Sequence, residues 1–404
     1  MTSYGFNSRM RNFEEFIVAR ILAKKNWQVY ALAKNEVDKT EHVYEENIDI
    51  FKTVAILPGI FHIIKILLFV RPNVVHIFNA RNNHLGIIAA LLCKLAFKPF
   101  LFSEYGLLHD HYLVTDRDNP FPLSEKLIKD GPIFSFWKTF RDPHLSANLK
   151  NYFFHFPLSH AKKIVFVSKH NIEIAEKIGL KNSAYLPYIF DDERWGAMST
   201  IDHEKTGKLG ELLANTSSNP ILFIGQLKLR KGWDIILEAL PYINNGLKVK
   251  LIFITSSADD QEPPELTVKI DTLGIRDKVI FLGRATGKDL KTAYESSKLV
   301  VVPSRYEGFG LAVTEAWAIK KPVVASDVIA INEHCVNEEN CLLVKPEDPK
   351  SLAQAIEKIL LNDQLALRLV SGGSKSFQEL QSEPMINQWL EFYSAAIREK
   401  TSSL

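Results

Sequence analysis

Two carboxylates eight positions apart, Glu307 and Glu315, bracket a turn that contains two glycines. Residues 299–302 form a continuous apolar run with β-branched side chains, which predicts a strand buried on both faces. Residues 312–319 then follow helical spacing. The two glycines let the main chain turn sharply and leave room for a ligand beside it. The sequence therefore predicts that both carboxylates lie in one cleft, at the carboxyl end of a buried strand.

The groups that this turn would present match two kinds of ligand chemistry. The amides of Phe309, Gly310 and Leu311 would lie at the start of the helix, where the helix dipole favours an anion such as a diphosphate. The Glu307 and Glu315 carboxylates would instead accept hydrogen bonds from the hydroxyls of a sugar and a ribose. These groups together predict a nucleotide-sugar site. The alternative is that both acids are ordinary surface residues, one of which matches the helix dipole.

Further segments favour the first interpretation, because they resemble one family. Residues 307–315 resemble the E-x-F-G-x-x-x-x-E motif of the retaining glycosyltransferase family four, the glycosyl transferases group 1, which has the GT-B fold. Upstream, residues 221–232 resemble a strand followed by G-R-L-x-x-x-K-G. Downstream, residues 321–327 and 340–344 resemble k-P-V-V-a-t-D and n-G-l-L-V, with Cys341 in place of the glycine.

The resemblance reaches the first half of the chain through residues 72–76 and 161–168. It implies an α/β fold of two doubly wound, Rossmann-like domains that face each other across a cleft, and the alternation of strand and helix patterns agrees. We expect residues 1–195 to form the acceptor-side domain and residues 196–384 the domain that binds the nucleotide sugar. Residues 385–404 would form a helix that returns to the first domain.

The N-terminal domain departs from the family at its start. Members begin with an apolar strand before the first glycine-bearing loop, whereas residues 1–9 begin at the loop itself. We therefore expect the first strand to be missing, either because the chain is shortened or because it is a divergent member. That strand is central in a doubly wound sheet, so its neighbours would lose a partner. Gly5 and Arg9 are candidates for the acceptor side of the cleft, although a loop arginine can equally be solvated.

The resemblance assigns donor-binding roles to the loop around Lys231. Gly225 matches the first glycine of the motif, and Lys231 matches the second of two cations that bind the donor diphosphate. Gln226 stands where the family usually has the first cation, and Lys228 or Arg230 can replace it from the same loop. We assign Glu307 and Lys231 as the catalytic residues; the other donor-binding candidates are Gly225, Gln226, Arg230, Phe309, Gly310, Leu311 and Glu315.

The acceptor side and the question of a metal rest on fewer signals. Tyr105 stands where the family often has histidine before glycine, and the nearby His109 is a second acceptor-side candidate. Asp116 and Asp118 have the D-x-D form with which another glycosyltransferase fold holds a divalent cation. No convincing buried strand precedes them, so a pair of solvated loop acids explains them better. We expect neither a metal nor a resident cofactor.

Composition restricts the class of protein. The 404 residues exceed one ordinary domain, and a hydrophobic fraction of 46% with 24% charged residues is typical of a globular chain. A net charge of +2 gives no argument for nucleic-acid binding. Cys93, Cys335 and Cys341 form an odd set without metal spacing, so we expect a reducing cytoplasm rather than a disulfide framework.

Two apolar stretches raise the question of a membrane. Residues 56–70 are shorter than the roughly 20 residues that span a bilayer, and the start of the chain lacks the pattern of a secretory signal. Residues 60–70 with Arg71, and residues 91–97 with flanking lysines, can form apolar and basic surfaces that rest on the inner face of a membrane. Core helices explain the same pattern about as well.

The sequence therefore predicts an enzyme, a retaining glycosyltransferase of hexosyl type. It would move a sugar from a nucleotide-diphosphate sugar to a glycan or lipid-linked acceptor, in polysaccharide biosynthesis. Two alternatives remain open. A GT-B sugar-nucleotide epimerase would share the diphosphate site and need no acceptor, and a non-catalytic partner would bind the nucleotide sugar without turning it over.

Overall fold

The chain divides into two compact units in the computed structural model. The N-terminal unit comprises Met1–Asp191 together with Gln381–Leu404, and the C-terminal unit comprises Asp192–Leu380. The structure describes residues 14–34, 41–53, 55–78, 84–105, 156–177, 179–190, 218–255, 261–285, 287–381 and 383–398.

The described part of the N-terminal unit alternates helices with short strands. Its strands are β1 (Val29–Lys34), β2 (Glu41–Glu45), β3 (Ile48–Thr53), β4 (Val75–Phe78), β5 (Phe100–Glu104), β6 (Lys163–Phe166) and β7 (Ser183–Tyr185). Its first helices are α1 (Glu14–Lys24), α2 (Ile56–Lys65), which continues into a π-helical turn (Ile66–Val70), α3 (His84–Leu95) and α4 (Lys169–Lys177).

These strands form two separate sheets. The first has the order β1-β3-β2, with β1 parallel and β2 antiparallel to β3. The second has the order β4-β5-β6-β7, and all of its pairs are parallel. Within the residues that the structure describes, β1 and β4 are therefore edge strands, each with a strand partner on one side.

A cavity of about 150 Å³, which we call the strand gap, is lined by both of these edge strands. Val29 and Leu32 of β1, Val75 and Phe78 of β4, and Leu22 of α1 contribute to its walls. The sequence predicts that a central strand is lacking, and no described strand joins β1 to β4. Within the described residues, the sheet of this unit is thus split between β1 and β4.

Helices cover both faces of the split sheet and hold its halves together. On one face, Phe16 of α1 packs in a cluster with the first sheet, and its neighbour Ile17 packs in a cluster with the second. On the other face, Ile63 of α2 packs in one cluster with Leu32 of β1 and Ile77 of β4. Apolar burial on both faces therefore joins the two described sheets, between which no described strand pairs.

The C-terminal unit is built on one continuous sheet. Its strands are β8 (Asn219–Ile224), β9 (Val249–Ile254), β10 (Val279–Gly283), β11 (Leu299–Val302), β12 (Val323–Ser326) and β13 (Leu342–Val344). They pair in the order β10-β9-β8-β11-β12-β13, and every neighbouring pair is parallel. Parallel strands buried on both faces need apolar residues at consecutive positions, and all four residues of β11 are buried.

Helices follow most of these strands and cover the sheet. They are α5 (Trp233–Ala239), α6 (Pro264–Leu273), α7 (Gly287–Ser296), α8 (Leu311–Ala318), α9 (Pro349–Leu360) and α10 (Asp363–Leu380). Apolar side chains of α5, α6, α9 and α10 join those of the strands in one large core cluster.

The last helix, α11 (Glu383–Arg398), belongs to the N-terminal unit. Trp389 and Tyr393 pack in the cluster that contains the second sheet of that unit. The Tyr393 hydroxyl also forms a hydrogen bond with one side of the half-buried His76 ring, whose other side bonds Ser103 at 2.8 Å. In addition, Lys162 Nζ donates to the Ala396 carbonyl at 2.7 Å. The helix is therefore fixed to this unit by polar as well as apolar contacts.

Candidate functional site

The two loops that carry the predicted donor residues lie side by side in the C-terminal unit. Strands β8 and β11 are hydrogen-bonded neighbours. Because parallel strands end at the same edge of a sheet, the β8 loop (residues 225–232) and the β11 loop (residues 303–310) leave that edge together. The Arg305 amide donates to the Arg230 carbonyl at 2.8 Å, so the backbones of the two loops are joined directly.

Gly232 is required where the two loops touch. Its φ is +66°, and a Cβ added at this position would lie 1.8 Å from the Pro303 carbonyl oxygen. Gly225 lies close to the neighbouring side chains, because a Cβ there would lie 3.1 Å from Phe223 Cζ and 3.4 Å from Lys231 Cβ. The glycines of the motif therefore allow the close packing of these two loops.

Glu307 is buried in the β11 loop and is surrounded by hydrogen-bond donors. The Lys231 ammonium donates to Oε1, and the Ser304 hydroxyl donates to the same oxygen at 2.7 Å. Arg230 Nη1 lies 3.6 Å from Oε2. Burial on its own raises the pKa of the Glu307 carboxyl, but the charges of Lys231 and Arg230 outweigh it, and the pKa falls below its ordinary value. Glu307 is therefore ionised at neutral pH.

Lys231 interacts with both carboxylates of the motif. Burial lowers the pKa of its ammonium, while the charges of Glu307 and Glu315 act in the opposite direction. Glu307 and Glu315 lie on different elements, the β11 loop and α8. Both carboxylates act electrostatically on the same Lys231 ammonium of the β8 loop. Lys231 and Glu307, which we assigned as the catalytic pair, are in direct contact.

Glu315 is held in place by a residue that the sequence did not indicate. The carboxylate lies on α8 and is buried, and Tyr294 of α7 donates its hydroxyl hydrogen to Oε2 at 2.7 Å. Because a buried carboxylate is costly unless it is hydrogen-bonded, this contact fixes the orientation of Glu315.

Arg305 is a second residue whose role only the structure reveals. Its guanidinium donates two parallel hydrogen bonds of 2.8 Å to Asp234, and Nε donates to Glu347, also at 2.8 Å. Nη1 further donates to the Leu229 carbonyl at 2.5 Å. These contacts raise the pKa of Arg305 further above its usual range, through the hydrogen bonds to Asp234 above all. Arg305 is thus a positioning residue that ties the β11 loop to the β8 loop and to α5.

Next to the start of α8, the rings of Phe309 and His334 form an aromatic stack. Gly310 precedes the helix with φ +93°, and a Cβ there would lie 3.2 Å from Ile331 Cγ1. The Phe309 ring stacks on His334 with centroids 4.9 Å apart and planes inclined by 18°. Burial lowers the pKa of His334 to about 4, so this ring is neutral at physiological pH. Leu311 is the first residue of α8, where we expect anion binding.

Gln226 lies half-buried in the β8 loop, and its backbone carbonyl accepts a hydrogen bond of 2.7 Å from the Lys228 backbone amide. The cation that approaches Glu307 from this loop, besides Lys231, is Arg230. The position of Arg230 therefore suits the replacement that the sequence suggests for the missing arginine.

Of the acceptor-side candidates, Tyr105 is the one that falls within the described residues. Tyr105 follows β5 and packs among aromatic rings, with its centroid 6.2 Å from Phe78 and 6.0 Å from Tyr188. Gly5, Arg9 and His109 lie outside the described residues.

Two further features concern metals and membranes. Within the described ranges, no group of three or more His, Cys, Asp or Glu side chains is arranged to hold a metal ion. Asp116 and Asp118 fall outside those ranges. Among the described helices, none combines the length and the apolarity that crossing a bilayer requires.

Comparison with known families identifies the region that contains this site. Residues 204–376 match the family "Glycosyl transferases group 1", and this segment includes both loops and all of α5 to α9. The region that contains both loops is therefore similar to that glycosyltransferase family.

Relatives of known sequence cover only part of the chain. An uncharacterized glycosyltransferase of Methanocaldococcus jannaschii is 36% identical over 40% of this chain and 41% of its own length. A D-inositol 3-phosphate glycosyltransferase of Salinispora tropica is 28% identical over 46% of this chain and 40% of its own length. The chain thus spans about two fifths of the length of these relatives.

Solved structures extend the likeness to the whole fold. Sucrose-phosphate synthase from Thermosynechococcus elongatus gives a TM-score of 0.70 at 18% identity, over 95% of this chain and 93% of that one. Anabaena HepE in complex with UDP and glucose gives 0.67 at 16% identity, over 96% of this chain and 98% of that one. The protein has the GT-B fold, as the sequence predicts.

Proposed function

We propose that the protein is a retaining glycosyltransferase that moves a sugar from a nucleotide-diphosphate sugar to a glycan or a lipid-linked acceptor. The observation that carries the proposal is the meeting of Lys231 and Arg230 with Glu307, where the β8 and β11 loops leave the sheet. Two cations and a buried, ionised carboxylate side by side suit a donor whose diphosphate is anionic and whose sugar presents hydroxyls.

The two cations would act on the leaving group. In transfer, the anomeric carbon exchanges its bond to the diphosphate for a bond to the acceptor oxygen, and the acceptor hydroxyl proton passes to the departing diphosphate or to water. Negative charge then grows on the departing diphosphate. Lys231 and Arg230, together with the backbone at the start of α8, would stabilise that charge in a site that is already folded around it.

Glu307 and Glu315 would position the donor. Lys231 is paired with Glu307. When a diphosphate shares the ammonium, one oxygen of Glu307 can accept a hydrogen bond from a sugar hydroxyl while Ser304 still donates to the carboxylate. Glu315, fixed by Tyr294, would accept from the ribose. Correct placement of the two reactants then supplies part of the rate enhancement.

The finer parts of the proposal rest on the family resemblance. These are retention of configuration, a hexosyl donor, catalysis without a metal or a resident cofactor, and a role in polysaccharide biosynthesis on the cytoplasmic side of a membrane. The HepE complexes contain UDP, UDP with glucose, or UDP-glucose, so UDP-sugars are the first donors to test.

The decisive experiment is a screen of nucleotide sugars by mass spectrometry, with and without lipid-linked and glycan acceptors. Transfer predicts that the donor is consumed much faster with an acceptor and that a product heavier by one sugar forms. Conversion of the donor to an isomer without acceptor would identify an epimerase instead. Donor binding without turnover under all conditions would identify a non-catalytic partner.

Substitutions test whether transfer activity depends on the site around Glu307. Glu307→Gln keeps the shape of the side chain and removes its charge, and it should abolish most transfer. Lys269→Ala is the matched control, because it removes an ion pair with Glu238 on the surface of the same unit. Equal activity of the parent and Glu307→Gln would contradict the proposed site.

A further inference from the structure

Half of the large hydrophobic side chains that are exposed in the described chain lie in one short region of the N-terminal unit, between residues 56 and 97. They number nine of 18, and the three exposed phenylalanines are among them. Phe61, Phe69 and Phe97 are 76%, 79% and 90% exposed. The remaining members of this set, which we call the apolar-basic face, are Ile56, Leu57, Ile64, Leu68, Leu91 and Leu95.

These side chains lie on the outer surface of two packed helices. Helices α2 and α3 contact each other, and a Cβ added at Gly59 would lie 2.7 Å from Leu85 Cδ2. The inner sides of the same helices carry Ile63 and Cys93, which are buried in the core of the unit. Each helix therefore has one apolar side buried in the core and a second apolar side exposed to solvent.

Charge distinguishes this face from an ordinary surface. The sequence from residue 51 to residue 103 contains no Asp and no Glu. Lys65, Arg71 and Lys94 are exposed on or beside the two helices, and Lys98 is half-buried next to Phe97. A surface that is both apolar and purely basic is attracted to anionic lipid headgroups, and its apolar side chains can enter the boundary between headgroups and acyl chains.

The backbone places one aromatic side chain outward at a conformational cost. Phe97 ends the turn after α3 with φ +52°, a left-handed conformation that glycine usually occupies. Its ring is almost fully exposed, so packing within the unit does not explain a bulky residue there. Insertion into a bilayer surface would explain it.

We propose that the apolar-basic face docks the N-terminal unit on the surface of an anionic lipid bilayer. A second copy of the same face is a poor partner, because a symmetric contact would bring cations together without any acid. The span of residues 56–70 is too short to cross a bilayer, so the helices would lie in the plane of the interface. In combination with the proposed function, on which this step rests, docking makes a lipid-linked acceptor the expected substrate class.

The test is co-sedimentation of the full chain with phosphatidylcholine vesicles that contain phosphatidylglycerol. Binding should be strong, should weaken with salt, and should be at least about tenfold weaker on vesicles of phosphatidylcholine alone. The triple change Phe61→Ser, Phe69→Ser and Phe97→Ser should abolish it. The charge reversals Lys65→Glu and Lys94→Glu should weaken it about tenfold or more.

A matched control removes exposed apolar side chains of the other unit. Leu361→Ser with Leu367→Ser changes residues that are 71% and 68% exposed, and it should leave vesicle binding unchanged. The proposal is overturned if the phenylalanine variant binds like the parent, if the control loses binding equally, or if the face instead forms a dimer that the phenylalanine changes dissociate.

Nucleotide-sugar binding, measured by calorimetry without vesicles, separates this proposal from the proposed function. The phenylalanine variant should bind the donor like the parent, because the changed residues lie in the other unit. If the parent binds vesicles but no nucleotide sugar, docking stands and the proposed function fails. If it binds and turns over a nucleotide sugar but ignores anionic vesicles, the reverse holds.

Discussion

The two units differ in the continuity of their parallel sheets. In the C-terminal unit six parallel strands form one unbroken sheet, whereas in the described part of the N-terminal unit the sheet is split at the strand gap. The loops of the unbroken sheet are tied together by backbone and side-chain contacts, and the candidate site lies there. Continuity of the sheet therefore coincides with a site whose parts are held in fixed positions by the protein's own contacts.

The largest expected effect tests whether the chemistry depends on that fixed site. Lys231→Ala removes the partner of a buried carboxylate and should destabilise the C-terminal unit by about 3 kcal/mol. It should also lower donor turnover by about 10²- to 10³-fold, because it removes charge stabilisation of the leaving group. Urea unfolding and donor turnover measure the two effects. Unchanged turnover in a folded Lys231→Ala protein would contradict the role of this loop.

A second prediction concerns the contact that joins the two loops. Gly232→Ala places a methyl group against the Pro303 carbonyl and should cost about 3 kcal/mol or more in unfolding free energy. Gly274→Ala is the matched control, because its φ of +64° is similar but no atom lies within 4 Å of the added methyl. It should cost only about 1 kcal/mol. If the two substitutions lowered the unfolding free energy equally, the left-handed backbone conformation alone, and not the contact with Pro303, would account for Gly232.

A third prediction tests the split sheet by pH. Glu15 of α1 lines the strand gap, and burial raises the pKa of its carboxyl from 4.5 to about 7. Because the folded state holds this proton more tightly than the unfolded state, ionisation should destabilise the N-terminal unit as the pH rises from 4.5 to 7. Of the other groups lining the gap, burial lowers the pKa of His76 well below its usual value and raises that of Cys93 to about 12, so neither titrates there.

Glu15→Gln isolates this contribution. The difference in unfolding free energy between the variant and the parent should grow by about 2–3 kcal/mol across that pH range. Amide hydrogen exchange of β1 and β5, followed in both proteins below pH 4.5 and above pH 7, measures it in the N-terminal unit alone. A constant difference would mean that water reaches Glu15 and that the gap is not a dry interior.

The smallest expected effect concerns the departure from the family motif. Gln226→Arg adds a cation to a loop where Arg230 already lies 3.6 Å from Glu307. A charged donor strengthens a hydrogen bond to phosphate about twofold over a neutral one, so donor affinity should rise by less than about tenfold. Arg230→Ala in the same calorimetric assay should have the larger effect. If these two variants and Lys231→Ala all bind the donor like the parent, the β8 loop does not serve the diphosphate.

Sequence patterns predicted the C-terminal unit more completely than the N-terminal one. The apolar run at 299–302 and the strand expected within 221–232 both correspond to strands in the structure, β11 and β8. Strands β2 and β3 were not predicted, because charged residues interrupt their apolar positions and β2 is an exposed edge. A strand buried on both faces can be recognised by consecutive apolar residues, whereas a half-exposed strand lacks this pattern.

The same contrast holds for the site. The motif located Glu307, Lys231 and Glu315 because their spacing within short segments is distinctive. Tyr294 and Arg305 were not assigned, since their roles depend on partners 21 and 71 positions away along the chain. Local spacing therefore predicts the residues that would touch a ligand, and packing between distant elements decides which residues hold them.

The position of α11 has a consequence for synthesis on the ribosome. The N-terminal unit emerges first, but the helix that packs against its second sheet is encoded after the whole C-terminal unit. Until that helix is made, Lys162 and His76 lack their partners in it, and the apolar surface around Leu101 and Val165 is uncovered. The domain that begins folding first is thus the last to finish, and a chain stopped at residue 380 should release a completed C-terminal unit beside an unfinished N-terminal one.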